Sequence, residues 1–157
     1  MAAKVLESPN KVWQRVNILL QGARPETRAA FQALKMYLAT QGGNPPLQLV
    51  LFSNVGVQQP TLLTTGGGTV YAIFAKKSNT ATASYLKIND SATLAGGAAG
   101  INMKAVMPLA AANAEGVMSF MPGFALVTGL TVAAETTPVG GTSSVAGDGP
   151  NGFAIIG

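Results

Sequence analysis

The chain has 157 residues, enough for one domain with a sizeable core; 48% of the residues are hydrophobic and only 10% are charged. It contains no cysteine and no histidine, which excludes disulfides, thiolate metal sites and histidine-based catalysis. A monomer with so little charge would expose a large apolar area, and we therefore expect a subunit of an assembly.

No segment is typical of a membrane helix or a secretion signal. Every apolar run is shorter than the roughly 20 residues that a membrane span needs. The first seven residues lack the apolar core of a signal peptide. We therefore expect the chain to be made in a cytoplasm, and we expect no membrane partner.

Residues 1–22 fit two alternative structures. Ser8-Pro9 is typical of a helix start, and the apolar residues from Val12 to Leu20 then share a helical stripe. Most of the same residues also fit one face of a strand. Because valine and isoleucine are β-branched, the sequence slightly favours an extended arm or strand here.

The clearest helix spans about residues 24–41. Pro25 suits the first helical position, and Glu26 lies in the first turn, where the helix dipole favours an anion. Gly42-Gly43 ends the pattern. The apolar residues at helical spacing are Ala30, Phe31, Leu34 and Leu38.

A cluster of helix breakers at residues 42–46 is the predicted boundary between two parts of the chain. Residues 1–45 would form a basic N-terminal arm plus the helix. Residues 46–157 would form the body. Six of the ten basic residues precede residue 36, whereas the remainder of the chain is neutral.

The body contains a series of short apolar or alternating segments separated by turn signals. Leu86 and Ile88 fall on one face of such a segment and Lys87 on the other, which is typical of a half-buried strand. Pro122-Gly123 is predicted to be a turn between two strands. Residues 136–152 would form an exposed loop or an irregular edge strand. The predicted strands cover residues 47–52, 70–75, 83–90, 101–107, 117–121, 125–132 and 153–156.

These segments predict a mainly β fold, with an antiparallel β-sandwich or jelly-roll-like body, an N-terminal arm and one α-helix. No catalytic, cofactor-binding or metal-binding residue is predicted. Gly66-Gly67-Gly68-Thr69 leads into a strand and not a helix, which favours a strand-entry loop over a phosphate loop. Asp90 has too few oxygen-bearing neighbours for a calcium site and is predicted to cap a turn.

The candidate partner-binding residues lie in the basic N-terminal region. Trp13 is the single tryptophan, and tryptophan and arginine are enriched at protein–protein interfaces. The same mixture occurs in nucleic-acid grooves, but we do not expect nucleic acid as the partner. Lys76-Lys77 closes a strand, where exposed lysines commonly discourage edge-to-edge pairing. The candidates are Lys11, Trp13, Arg15, Arg24 and Arg28.

The order of features over residues 69–135 resembles the small β-sandwich structural proteins of tailed bacteriophages, of the capsid decoration or cement type. The resemblance implies a non-enzymatic virion protein that binds between capsid subunits and reinforces the shell. It also implies the major capsid protein or other virion subunits as partners and a homo-oligomer, with a trimer favoured. The segments that carry the resemblance are residues 70–75, 79–81, 83–90, 107–109, 120–124 and 128–132.

Two alternatives remain open at this stage. The first is a tail, neck or fibre subunit of a virion that binds a receptor or a glycan. The second, which ranks lower, is an enzyme that uses carboxylates and lysine, with or without a cation.

Overall fold

A computed structural model of the protein describes residues 7–41, 46–53, 61–77, 84–91, 103–109, 113–135 and 150–157. These residues form two helices and eight strands. The helices are α1 (Pro9–Leu19) and α2 (Pro25–Thr40). The strands are β1 (Gln48–Phe52), β2 (Thr61–Thr65), β3 (Gly68–Lys76), β4 (Ser84–Asp90), β5 (Met103–Leu109), β6 (Glu115–Leu126), β7 (Gly129–Glu135) and β8 (Asn151–Ile156).

The strands build two four-stranded sheets in which all neighbours are antiparallel. The first sheet has the order β1-β8-β3-β6 and the second the order β2-β7-β4-β5. This is the strand order of an eight-stranded jelly roll. The predicted mainly β fold with a sandwich or jelly-roll-like body is confirmed.

An apolar core fills the space between the two sheets. Every strand contributes to it, for example Phe52 from β1, Leu86 and Ile88 from β4, and Ile156 from β8. The C-terminal strand β8 lies between β1 and β3 in the first sheet, so the end of the chain is held on both sides. Burial of these side chains supplies the main stabilisation of the sandwich.

Both helices pack on the outer face of the first sheet and form a second apolar layer. Phe153 of β8 is at its centre, because its ring lies 5.3 Å from that of Phe31 in α2 and 5.3 Å from that of Phe74 in β3. Three of the apolar residues at helical spacing in α2, Phe31, Leu34 and Leu38, are buried. The helical layer and the first sheet therefore share one core.

The slight preference for an extended N-terminal segment is wrong, because residues 9–19 are helical. Pro9 begins α1, and Val12, Val16 and Leu20 form a buried stripe that faces the sheet. A segment with weak helix propensity becomes helical when one of its faces packs on a sheet, because tertiary contacts outweigh propensity. The described residues thus form two helices and not the single predicted one.

The predicted turn at Pro122-Gly123 is also wrong, since β6 continues through it to Leu126. The pair instead lies in an irregularity of the β3–β6 ladder, where Val70 pairs with Phe124 but Ala72 pairs with Ser119. Pro122 is tolerated there because β6 is an edge strand of its sheet. The turn between β6 and β7 lies at residues 127–128.

Strand β4 is buried on both faces and not on one. Leu86 and Ile88 point into the core as predicted. However, Lys87 and Asn89, on the opposite face, are also buried. Leu86 and Ile88 thus form an apolar face and Lys87 and Asn89 a polar one, but both faces are buried.

Several predictions fall wholly or mostly outside the described residues. The boundary at residues 42–46 and the loop at residues 136–152 are the main cases. The division into residues 1–45 and 46–157 stays a prediction. In the part of the chain that the structure describes, no helix is long and apolar enough to cross a membrane.

Candidate functional site

An open groove of about 780 Å³ lies at the end of the first sheet where β1 and β3 end and β8 begins. Three apolar side chains on the helix-facing side of the sheet adjoin one another here, because Phe153 pairs with both Leu51 and Phe74. Leu19, at the end of α1, also lines the groove. We call it the Lys77 groove; it is lined by Leu19, Leu51, Phe52, Ser53, Phe74, Lys76, Lys77, Asn151, Gly152 and Phe153.

Large apolar side chains at this end of the molecule face the solvent. Leu51 in the groove is 51% exposed, and Ile18, next to Leu19 at the end of α1, is 65% exposed. Leu49, two residues before Leu51 on the same strand face, is buried in the helical layer. The exposed apolar surface therefore begins where the helical cover of the sheet ends.

Lys77 lines the groove, but its ammonium group is buried and does not face the open space. The residue is 2% exposed, and its Nζ is buried without a hydrogen-bond partner among the described residues. Its backbone N–H donates to the carbonyl oxygen of Ala114 at 2.8 Å, which fixes the position of the chain. A buried ammonium group without a partner is costly.

The interpretation of Lys76-Lys77 as an exposed pair that protects a sheet edge is wrong. Strand β3 lies inside the sheet, between β8 and β6, so it has no edge to protect. Lys76 is exposed, whereas Lys77 is buried. Alternation from Ile73 through Ala75 places Lys77 on the inward face of the strand, which is the sequence signal for its burial.

The carboxylate of Glu115 lies on the neighbouring strand β6, but it contacts α2 and not Lys77. Glu115 is opposite Lys76 in the β3–β6 ladder. Its Oε2 accepts hydrogen bonds from the backbone N–H of Arg24 and from Oγ1 of Thr27, both at 2.9 Å. The N-cap residue of α2, Arg24, makes no side-chain capping bond, so Glu115 supplies the acceptor and the negative charge at this helix end.

Gly152 permits the close packing beneath the groove. A Cβ atom at this position would overlap the carbonyl oxygen of Phe74 and lie 2.8 Å from the ring of Phe52. Only glycine lets β8 approach its neighbours this closely. The floor of the groove is therefore tightly packed backbone and aromatic side chains.

Asp90 is a buried carboxylate that accepts four hydrogen bonds from the turn between β6 and β7. One oxygen, Oδ2, accepts from the N–H of Val127 at 2.9 Å. The other, Oδ1, accepts from the N–H and Oγ1 of Thr128 and from the N–H of Gly129, at 2.9, 3.0 and 3.2 Å. Burial raises the pKa of this carboxyl, but the hydrogen bonds outweigh it and lower the pKa to about 2.

The prediction that Asp90 caps a turn is confirmed, although the turn is the distant one between β6 and β7. The glycine-rich segment is also as predicted, because Gly66 and Gly67 lead into strand β3 and not into a helix. Within the described ranges, no group of three or more carboxylate, histidine or cysteine side chains is arranged to hold a metal ion.

The five predicted partner-binding residues are only partly brought together. Trp13 is 5% exposed and packs in the helical layer of its own chain, so it is a core residue and does not present a surface for a partner. Arg28 lines a small cavity of about 60 Å³ together with Trp13. Arg15 pairs with Glu7 at 2.8 Å, whereas Lys11 and Arg24 are exposed.

No protein-family model matches this chain, and searches of curated proteins and of solved structures found no match.

Proposed function

We propose that this protein is a non-enzymatic structural component of a virion that binds between capsid subunits and reinforces the shell. The observation that carries the proposal is the Lys77 groove, an exposed apolar surface at one end of a jelly roll. Contiguous exposed apolar surface is typical of sites that bind another protein. Jelly rolls also occur widely in viral capsids, although the fold alone does not determine function.

The construction of the molecule supports a binding role at this end. The outer face of the first sheet is covered by α1 and α2, and the cover stops before Leu51. The groove is built on paired strands of one sheet, so binding there needs little rearrangement of the backbone. Low overall charge, at 10% of residues, adds to the expectation of a permanent assembly.

Three carboxylates have structural roles, which supports the non-enzymatic part of the proposal. Glu7 pairs with Arg15, Asp90 holds the β6–β7 turn, and Glu115 caps α2. Homo-oligomerisation, with a trimer favoured, stays a prediction.

The test is electron microscopy of particles purified from the virus that encodes the chain, with an antibody fragment against the protein. We expect the label on the capsid shell at sites between subunits. Label confined to the tail, neck or fibres would support the alternative role in receptor or glycan binding. Particles without label would contradict both.

A second readout is the stability of the shell itself. Particles that lack the protein should break open at a lower temperature than complete particles, and adding the purified protein should restore the difference. Equal stability with and without bound protein would contradict the reinforcing role.

A further inference from the structure

We propose that residues 2–6 bind along the open edge of β1 as an additional antiparallel strand, which extends the first sheet from four strands to five. Residues 2–6 lie outside the described part of the chain, whereas the edge that would receive them lies within it. The inference is independent of the virion role. It assigns an occupant to the sheet edge beside the Lys77 groove.

Glu7 already forms the first pair of such a ladder. It exchanges two backbone hydrogen bonds with Leu47, the residue before β1, at 2.6 and 3.0 Å. On the other side of Leu47 the register of β8 places Gly157, which exchanges two backbone hydrogen bonds with Thr69 instead. Glu7 therefore lies on the side of β1 that faces away from β8.

The edge of β1 beyond Leu47 is open in the described part of the chain, where this strand pairs only with β8. Alternate residues of a strand direct their N–H and C=O groups to the same side. Leu49 and Leu51 therefore present these groups on the same side as Leu47. An unpaired edge of this kind is a template for another strand.

The register set by Glu7 and Leu47 brings residues 2–6 opposite the five residues of β1. It makes hydrogen-bonded pairs at every second position, which are those of Leu49 and Leu51. The expected pairs are Leu6 with Gln48, Val5 with Leu49, Lys4 with Val50, Ala3 with Leu51 and Ala2 with Phe52.

The side chains of this segment suit the two faces that the register gives them. Glu7 points to the helical layer, where its carboxylate pairs with Arg15 of α1 at 2.8 Å. Val5 falls on the same face, next to Leu49, which is buried in that layer. Lys4 falls on the opposite face, and an inward-pointing charge is a common means by which an edge strand avoids pairing with a further chain.

The added strand would also reduce the exposed apolar surface at this end of the sheet. Leu51 is 51% exposed although it lies in a strand. Ala3 would pair with it and cover part of its side chain, and the burial of apolar surface would stabilise the pairing. Because alanine is small, the Lys77 groove would gain a border without being filled.

The experiment uses disulfide formation in the full-length protein, which has no cysteine of its own. The variant that combines Ala3→Cys with Leu51→Cys places two thiols at an expected hydrogen-bonded pair. The Cα atoms of such a pair are about 5.5 Å apart, which suits a disulfide. We expect a disulfide within one chain after mild oxidation, identified by gel electrophoresis without reductant and by peptide mass.

The matched control combines Ala2→Cys with Leu51→Cys. A shift of one residue directs the first side chain to the opposite face, so this disulfide should form about tenfold more slowly. Equal rates in the two variants would show that the segment keeps no register on β1 and would overturn the inference. Disulfides between two chains, which place a second copy on the edge, or no disulfide at all would overturn it as well.

Amide hydrogen exchange gives a second readout. Val5→Pro removes an N–H that donates to β1, whereas Lys4→Pro removes one that points away from it. Exchange at Leu49 and Leu51 should become about tenfold faster or more in the first variant and change by less than about twofold in the second. The N–H of Val50, which points to β8, should stay protected in both. Unchanged exchange in Val5→Pro would contradict the added strand.

Discussion

Two buried charges lie at opposite ends of strand β6 and have opposite environments. Asp90 contacts Val127, directly after the strand, and accepts four hydrogen bonds from the turn. Lys77 contacts Ala114, directly before the strand, and its Nζ has no partner in the described part of the chain. Their exposures are similar, at 4% and 2%.

The comparison teaches that burial of a charge does not by itself reveal its purpose. At the Asp90 end the fold supplies donors for the carboxylate, which makes this residue part of the structure. At the Lys77 end the fold buries an ammonium and leaves it unsatisfied, beside an exposed apolar groove. Local conflicts of this kind in an otherwise consistent fold are typical of functional sites.

The largest expected effect is that of Asp90→Asn. The change removes the negative charge and replaces one accepting oxygen by an NH2 group, which cannot accept the hydrogen bond of a backbone N–H in the turn. We therefore expect the free energy of unfolding to fall by about 3 kcal/mol. Urea unfolding measures it. Glu26→Gln, at an exposed carboxylate, is the control and should cost about 0.5 kcal/mol or less. A similar small loss for both variants would contradict a structural role for Asp90.

Lys77→Met should act in the opposite direction. Replacing an unpartnered buried ammonium by an apolar side chain of similar length should raise the free energy of unfolding by about 2 kcal/mol. The same unfolding experiment applies, with Lys76→Met at the exposed neighbour as a control that changes stability by about 0.5 kcal/mol or less. A clear loss of stability in Lys77→Met would mean that the lysine has a structural role.

A smaller loss, about 1 kcal/mol, is expected for Glu115→Gln, because the N-terminus of α2 loses a charged acceptor. The double variant with Lys77→Met sharpens the comparison. If Glu115 serves only the helix, the two effects should add to within about 0.5 kcal/mol. Strong coupling between the two changes would show that Glu115 is already the counter-charge of Lys77.

A loss of stability at acidic pH is also expected through Asp90. Its pKa is about 2 in the folded protein against 3.8 for an ordinary aspartate, so its contribution is complete above about pH 5 and is lost as the pH falls towards 2. The stability difference between the natural protein and Asp90→Asn should therefore shrink over this interval. A difference that is constant from pH 5 to pH 2 would contradict the lowered pKa.

Much of the fold was predictable because strand alternation and helix caps are local signals. They located α2, β1, β3, β4 and β8. The helical conformation of α1 was not predictable, because its apolar residues fit both the helical and the strand period. Only packing on the first sheet decides between the two. The length of β6 was missed since its Pro-Gly pair produces an irregularity at a sheet edge and not a turn.

The groove was less predictable than the fold. Its residues come from α1, β1, β3 and β8, and sequence alone does not bring these elements together. Trp13, predicted as a partner-binding residue, is buried in the helical layer, and a lone aromatic residue among basic residues is equally typical of a core position. The burial of Lys77 depends on strand order, which places β3 inside its sheet.

The most direct test of the account is the structure of the assembled particle at a resolution that shows side chains. The account predicts an apolar segment of another protein in the Lys77 groove. A particle in which the protein contacts its neighbours through other surfaces, and leaves the groove open to solvent, would contradict it.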